Sequence, residues 1–598
     1  MTAIILAAGF GRRMRPLSDT THKALLPVGD STILGRIFDG LLSIHVTDIV
    51  IVTGYRADDV RAFCATADPK LSIRFVHNER YEQTNNIVSL SLAMEQTPLD
   101  DDVIVIECDL LFDAGVLQLL LQPAPGNIAL VDRYRPGMDG TVVAVEDGLI
   151  TQVFPPHLQG PQFLYDDKYK TLNIYRFDRE FCANTFKPLL DCYANLIDGN
   201  VFYELVLGML VNMQRQRIQA AIVDGSKWAE VDDPNDLAAA RFQFEPSSRA
   251  TILDRAMGGH WSFDVTDFAY MRNLRFPTDA MLAAMRQALP AVMRSYGSTQ
   301  RVLNQKLAWH LLCDASRVQV LHGASQIYPI LKRMVGDRPV LRPEPTFGEY
   351  ARMFPSADTY RDSAGVDLDA LERRIPRNGV VVVVTPNSPT GTVIDTGWVF
   401  GCAGRHPGAT FVVDESFIDF SDQASLIGRL EDRPLPNVLI IKSLSKSFGV
   451  PGLRLGYVYS TDAAVIREID AEIPVWNLGG PAEFFLELML KYRPDFERSL
   501  AATKADRASF AAALEALPIV QQVHPSGGNF LLVTLTGDDP GLGGRIRTQL
   551  LEGFAIDVKD VSDRVTPQAP RLRVAVRLPA DNARFCDALD AVSLMASA

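Results

Sequence analysis

Lysine serves chemistry either as a fixed positive charge or, freed of its proton, as a nucleophile toward a carbonyl. The 598-residue chain carries a candidate for each use. Lys446 stands in KSLSKSFGVPGLRLGY, where Ser443, Ser445 and Arg454 supply hydroxyls and a cation for a phosphate. Upstream, FVVDESFIDF sets Asp414 at the end of an apolar run, where a carboxylate suits a protonated pyridine nitrogen. TPNSPTG offers Asn387 and Ser388 to a ring oxygen, and LHGASQ offers backbone N–H groups at Ala324 and Ser325 to an anion. EPTFGEY adds the face of Phe347 for stacking. Together these are the parts of the electron-sink arrangement that pyridoxal phosphate enzymes use. Lys442, in the same stretch, has no assigned role.

At the other end, TAIILAA opens into Gly9-Phe10-Gly11, followed by Arg12, Arg13, Arg15 and Lys23. Small residues let backbone N–H groups approach a phosphate closely, and neighbouring cations balance its charge. Farther on, VIVIECD ends in Asp109, and KWAEVDDPNDL offers Asp232 and Asp233. Two carboxylates at strand ends can hold Mg²⁺ against triphosphate oxygens. An Asp there can also simply cap a helix, and spacing alone does not separate the two roles.

These residues need strands to carry them. TAIILAA, TDIVIVTG, LSIRFVHN and DDVIVIECD alternate with longer amphipathic stretches, as do RVQVLHG, NGVVVVVTP, ATFVVDE and NVLIIKS later on. The runs are nearly continuous in apolar residues, as strands buried on both faces of a parallel sheet are. The expectation is two α/β domains: residues 1–243 with a Rossmann-like sheet, a polar linker at 244–262, and 263–598. The last ends, from about residue 480, in a long helix and a small α+β subdomain.

A formal net charge of −13 argues against non-specific nucleic-acid binding. Seven scattered cysteines form no CxxC pair, the pattern of reduced thiols rather than of disulfides or a zinc site. The first arginines follow the apolar start instead of preceding it, unlike a signal peptide, and no apolar run reaches the roughly 20 residues of a membrane helix. A cytoplasmic location is expected, with no membrane partner.

LAAGFGRRMRPLSDTTHKALLPV resembles the signature of the nucleotidyltransferases that activate sugar phosphates and phosphoamines, with His22 replacing a usual proline. ERYEQTNNIVSL (Thr84, Asn85, Asn86, Ser89), MDGTVV and YKTLNIYRF are similar to the phosphocholine-type cytidylyltransferases within that group. The resemblance implies CTP as the nucleotide, held by Leu6, Ala7, Ala8, Gly9, Gly11, Arg12, Lys23 and Asn85. It also implies Mg²⁺ on Asp109 and Asp232, with Lys23 catalytic at the α-phosphate.

Residues 260 to 598 resemble fold-type I aminotransferases, in particular the histidinol-phosphate aminotransferase and threonine-phosphate decarboxylase branch. By that likeness Lys446 holds pyridoxal phosphate covalently and Asp414 faces its ring nitrogen. Phe347 stacks on the ring, Asn273 and Arg573 bind substrate, and Tyr296 in SYGS reaches the cofactor phosphate of a second subunit, implying a homodimer. Two positions depart from the branch: Ser388 stands where asparagine usually precedes PTG, and Phe417 stands where tyrosine is frequent.

The layout is similar to bifunctional enzymes of phosphonate antibiotic pathways. It implies CMP transfer to a small aminoalkyl phosphate or phosphonate, and decarboxylation of an amino acid bearing such a group. Transamination is the alternative for the second half. A sugar-1-phosphate nucleotidyltransferase joined to a nucleotide-sugar aminotransferase is another alternative, against which TNNIVSL stands. A nucleotidyltransferase whose second half only regulates or dimerises is the third.

Overall fold

Each apolar run forms a strand, and the runs assemble into two separate sheets in the computed structural model, which describes residues 1–597 apart from 123–125, 161, 226, 364 and 566–567. The chain divides into two compact units, Met1–Asp264 and Val265–Ala598.

In the first unit, Thr2–Ala7 is buried at every position. Its side chains alternate between two cores, Ala3 and Ile5 entering one and Ile4 and Leu6 the other, because successive strand residues face opposite ways. Helix Ile33–Ser43 covers the first face; Asn86–Glu95 and Glu204–Asn212 cover the second. The nine-stranded sheet runs Ser72–His77, Asp48–Thr53, Thr2–Ala7, Val103–Glu107, Tyr169–Phe177, Asn127–Arg133, Ile218–Ile222, Leu149–Phe154, Val142–Glu146. Thr2–Ala7 pairs in parallel with both neighbours, and Leu6 is in register with Glu107. The segments that follow these two strands therefore leave from one sheet edge, where ligands of open α/β sheets bind.

The polar stretch 244–262 is not a bare connection. It follows helix Pro234–Phe244 and contains helix Arg249–Ala256, and the Arg249 guanidinium donates to the carbonyls of Phe242 and Gln243.

The second unit has a seven-stranded sheet in the order Val318–His322, Leu455–Ser460, Val438–Ser443, Thr410–Asp414, Val380–Val384, Val340–Glu344, Asp358–Arg361. Pairing is parallel from Val438–Ser443 outward to Asp358–Arg361, whereas Leu455–Ser460 runs antiparallel to both neighbours. Val380–Val384 is five buried valines, the composition a central strand covered on both faces requires. Beyond residue 480 come the helix Arg493–Glu515 and a four-stranded antiparallel sheet with helices Leu542–Phe554 and Pro579–Ser597, the expected α+β subdomain. Among the described residues no helix is long and apolar enough to cross a membrane, and all seven cysteines are free.

Candidate active sites

Strand Thr2–Ala7 delivers the glycine turn. Gly11 has φ +61°, left-handed backbone that favours glycine, and starts the short turn Arg12–Met14. Nothing lies within 4 Å of where a Cβ on Gly9 would be, so this backbone borders open space. The space is a cavity of about 310 Å³ that Leu6, Ala8, Gly9, Gly11, Arg12, Lys23 and Asn85 all line, together with Asp109 and Asp232. Ala7 does not line it; strand alternation turns its side chain into the core.

Lys23 is only 9% exposed. Its Nζ lies 2.8 Å from Asp109 Oδ2 and 2.6 Å from Asp232 Oδ1. Burial alone would lower the Lys23 pKa, but the two carboxylates outweigh it and hold the ammonium well above its ordinary value. Arg13 adds a second cation on Asp232 at 2.7 Å and reaches Asp139 at 3.0 Å. Burial pushes the Asp232 carboxyl up, and Lys23 and Arg13 bring it below the usual range. Asp233 separates from its neighbour: it caps helix Pro234–Phe244 in a reciprocal capping box with Asp236. Asp109 Oδ1 is buried without a hydrogen-bond partner. Two carboxylates with one oxygen unsatisfied fit the all-oxygen donor set of a Mg²⁺ ion.

The sequence reading missed several residues of this cavity: Asn78, Tyr81, Glu107 and Phe202 also line it. Asn78 Nδ2 donates to both Thr84 and Ser89 at 3.1 Å, tying the TNNIVSL motif to the strand Ser72–His77. Asn78 ends the run LSIRFVHN, Tyr81 stands in ERYEQTNNIVSL and Glu107 in VIVIECD, whereas Phe202 lies in none of the quoted stretches.

In the second unit, Asp414 ends strand Thr410–Asp414 and is buried. Its Oδ2 accepts from the Tyr350 hydroxyl at 2.8 Å and its Oδ1 from the Ser416 N–H at 2.9 Å. Tyr350, the last letter of EPTFGEY, carried no expectation. Burial pushes the Asp414 carboxyl up, and the bonds from Ser416 and Tyr350 offset part of that rise.

Lys446 lies in the short helix Leu444–Ser447, and its backbone carbonyl accepts from the Asn273 N–H at 2.8 Å. Burial, with Arg573 and Arg454 nearby, lowers its amine to about 8, although Asp414 pulls the other way. Lys442 is a different case: buried, it is ion-paired to Asp419 at 2.6 Å.

Arg454 donates to Ser325 Oγ at 3.0 Å. Gly323 has φ +73°, the left-handed backbone that favours glycine, and a Cβ there would come within 2.5 Å of Arg454 Nη2 and displace that guanidinium. Ala324 follows it, opening the turn that leads into helix Ile327–Val335. Ser445 Oγ is buried with no partner. Ser443 sits at the N-cap, where its N–H donates to Ser416 Oγ at 3.1 Å. An unpartnered hydroxyl, a guanidinium and a glycine turn fit an anion, and a buried Asp beside a low-pKa lysine fits a pyridine ring: the residues suit pyridoxal phosphate. Phe347 is 43% exposed, leaving ring surface for stacking.

Arg573 donates to Ser388 Oγ at 3.1 Å and to the Ala269 carbonyl at 2.6 Å, while its Nε is buried without a partner. Burial, aided by Arg564, lowers it to about 10. Three of the expected contact residues have partners within the protein. Asn387 is fully buried and braces the scaffold, its amide donating to the Pro345 carbonyl at 2.8 Å and Asp362 at 2.5 Å and accepting from Thr346 at 3.1 Å. Asn273 likewise binds Ser447 O and Ser499 Oγ, both at 2.9 Å. The Ser388 hydroxyl accepts from Arg573. Phe417 packs edge-on against Phe530 in a small core. Tyr296 is 80% exposed and stacks on Trp476 at 4.4 Å.

The profile of the aminotransferase class I and II family matches residues 262–589. The chain belongs to that family. A MobA-like NTP transferase domain matches residues 3–155, so this family member is a fusion of a nucleotidyltransferase and a pyridoxal phosphate-dependent enzyme of type I fold. Over 596 residues the chain is 32% identical to a CMP-5'-(3-aminopropyl)phosphonate synthase from Streptomyces rubellomurinus, covering 97% of this chain and 93% of that protein. An L-serine phosphate decarboxylase from Sulfurospirillum multivorans is 29% identical over 322 residues, 49% of this chain and 78% of its own. A threonine-phosphate decarboxylase from Salmonella typhimurium is 28% identical over 298 residues, 48% of this chain and 80% of its own.

Proposed function

We propose that residues 1–243 transfer CMP from CTP to a small aminoalkyl phosphonate or phosphate, and that residues 263–598 decarboxylate an amino acid bearing such a group. The observation that carries this reading is the end-to-end likeness to the Streptomyces protein, whose name joins CMP to an aminopropylphosphonate. A role in phosphonate antibiotic biosynthesis follows from the same likeness.

In the first cavity, Gly9 and Gly11 give backbone room to a triphosphate, and Arg12 and Lys23 balance its charge. Asp109 and Asp232 would hold Mg²⁺. The acceptor oxygen attacks the α-phosphorus and pyrophosphate leaves; catalysis is positioning and charge stabilisation without a covalent enzyme intermediate.

In the second site, pyridoxal phosphate when bound supplies an electron sink for the pair left when a bond to the substrate α-carbon breaks. Lys446 presents an amine whose pKa is lowered to about 8. Asp414, braced by Tyr350, would keep a proton on the ring nitrogen; Arg454, Ser325 and Ser445 would hold the phosphate. Arg573 binds the substrate carboxylate. Transamination is the second reading, favoured by Arg573 itself: a guanidinium gripping that carboxylate stabilises the group a decarboxylase must release. A homodimer through this unit accords with the exposed Tyr296, and a cytoplasmic location with seven free cysteines.

The test is to supply pyridoxal phosphate and a phosphonate-bearing amino acid. Carbon dioxide release supports decarboxylation, whereas keto-acid-dependent amino exchange establishes transamination. In parallel, pyrophosphate release is compared with CTP, UTP and dTTP. Asp109→Ala should abolish pyrophosphate release and leave the second reaction intact.

A further inference from the structure

Asp414 and Lys446 belong to neighbouring strands of the second sheet, and one side chain joins the places where those strands end. Thr410–Asp414 pairs in parallel with Val438–Ser443, with Asp414 in register with Ile441. The Glu415 N–H donates to the Ile441 carbonyl at 2.9 Å, the last backbone rung between the two among the described residues. The next rung of a parallel ladder would run from the Ser443 N–H to the Glu415 carbonyl. That carbonyl is taken: it accepts from the Ile418 N–H at 3.1 Å, closing the turn that leads the chain off the sheet. The Ser416 hydroxyl accepts from the Ser443 N–H in its place, at 3.1 Å.

Ser416 makes a second bond with a different atom. Its backbone N–H donates to Asp414 Oδ1 at 2.9 Å, and the residue is only 9% exposed. Its N–H and hydroxyl both hold the Asp414 carboxyl below the value that burial alone would set. Ser443 is the N-cap of the short helix Leu444–Ser447, which carries Lys446. One residue therefore grips the carboxylate with its main chain and the lysine-bearing turn with its side chain. The far end of that turn has its own brace, since Asn273 donates to the Lys446 carbonyl at 2.8 Å and to the Ser447 carbonyl at 2.9 Å. That brace comes from the opening segment of the unit, whereas Ser416 ties the turn to Asp414.

We propose that Ser416 is a positioning residue of the second site: its hydroxyl closes the missing rung and thereby sets where the Lys446 amine stands relative to the Asp414 carboxylate. The assignment rests on the reading of Asp414 and Lys446 as the groups that meet the ring nitrogen and the carbonyl of pyridoxal phosphate. Without the hydroxyl, the Ser443 N–H loses its acceptor and the turn must shift to find another. The Lys446 amine would then leave the buried spot where Arg573 and Arg454 lower it.

The test compares Ser416→Ala, which deletes the hydroxyl but keeps the N–H on Asp414, with Ser416→Thr, which keeps both. Ser460→Ala is the control. Its hydroxyl is buried in the same sheet and donates to the Val438 carbonyl at 2.9 Å, at the other end of the strand that leads to Lys446. Two quantities are read on the full-length protein. One is pyridoxal phosphate affinity by equilibrium dialysis; the other is the pH midpoint for amine-reactive labelling of Lys446 after the cofactor is dialysed away. Ser416→Ala should weaken the affinity by about 3–10-fold, the scale of one net hydrogen bond. It should also move the midpoint up from near 8 toward the ordinary lysine value of about 10.4. Ser416→Thr and Ser460→Ala should match wild type in both. Ser416→Cys, a weak acceptor of similar size, should fall between and serves if the alanine variant does not fold.

Wild-type affinity and midpoint in Ser416→Ala would overturn the proposal. Equal shifts in Ser416→Ala and Ser460→Ala would overturn it too, because they report a general loosening of the sheet. If Lys446→Ala binds pyridoxal phosphate with wild-type affinity and absorbance, the reading of Lys446 fails, while the labelling midpoints of the Ser416 variants still decide the coupling.

Discussion

Lys23 and Lys446 are the same side chain in opposite surroundings. Lys23 is pinned between Asp109 and Asp232, and its ammonium is held above the ordinary range. Lys446 has Arg573 and Arg454 as its electrostatic neighbours and drops to about 8. Burial disfavours the charged form in both cases, so the sign of the neighbours decides the outcome. One unit has built a permanent cation to meet phosphate; the other has built a nucleophile to meet a carbonyl.

The widest separation should come from deleting each lysine in turn. Lys446→Ala is expected to cut cofactor-dependent turnover on the order of 10⁴-fold or more, as loss of a covalent group does, and to remove the visible absorbance of the held cofactor. Pyrophosphate release should continue. Lys23→Ala should do the reverse, lowering pyrophosphate release by about 10²–10³-fold, the scale of one preorganised charge, with cofactor absorbance unchanged.

A smaller effect probes how the carboxylate near Lys446 is held. Tyr350→Phe removes the 2.8 Å bond to Asp414. Pyridoxal phosphate affinity, read by equilibrium dialysis, should weaken by about 3–10-fold, since a net hydrogen bond contributes about 1 kcal/mol. An unchanged affinity would mean that Asp414 needs no brace.

The smallest expected effect separates two adjacent aspartates. Asp233→Ala removes a helix cap and should lower stability by about 1 kcal/mol in a denaturant titration, while pyrophosphate release persists. Loss of that activity with unchanged stability would place Asp233, not only Asp232, in the chemistry.

The strands were legible because buried parallel strands leave unbroken apolar runs, and the two lysines because each sits in a dense local motif. What was not legible depends on partners far along the chain. Tyr350 matters through Asp414, 64 residues away, and nothing local marks it. The partners of Asn387 and Asn273 lie in other segments, with Asp362, Pro345 and Ser499 accepting from their amides. Asp232 and Asp233 were indistinguishable by spacing until the helix start assigned one of them as its cap. The stretch 244–262 read as linker because its polar surface hides the helix Arg249–Ala256.

The opposed charge states of the two lysines can be measured directly. Cofactor-free protein is pulse-labelled with an amine-reactive reagent from pH 6 to 11, and the modified lysines are quantified by mass spectrometry. Lys446 should gain reactivity as pH rises, with a midpoint near 8, because only the amine that has lost its proton reacts. Lys23, whose pKa is raised, should stay unlabelled beyond the range where surface lysines react. A shared midpoint near 10.4, the ordinary lysine value, would contradict the account.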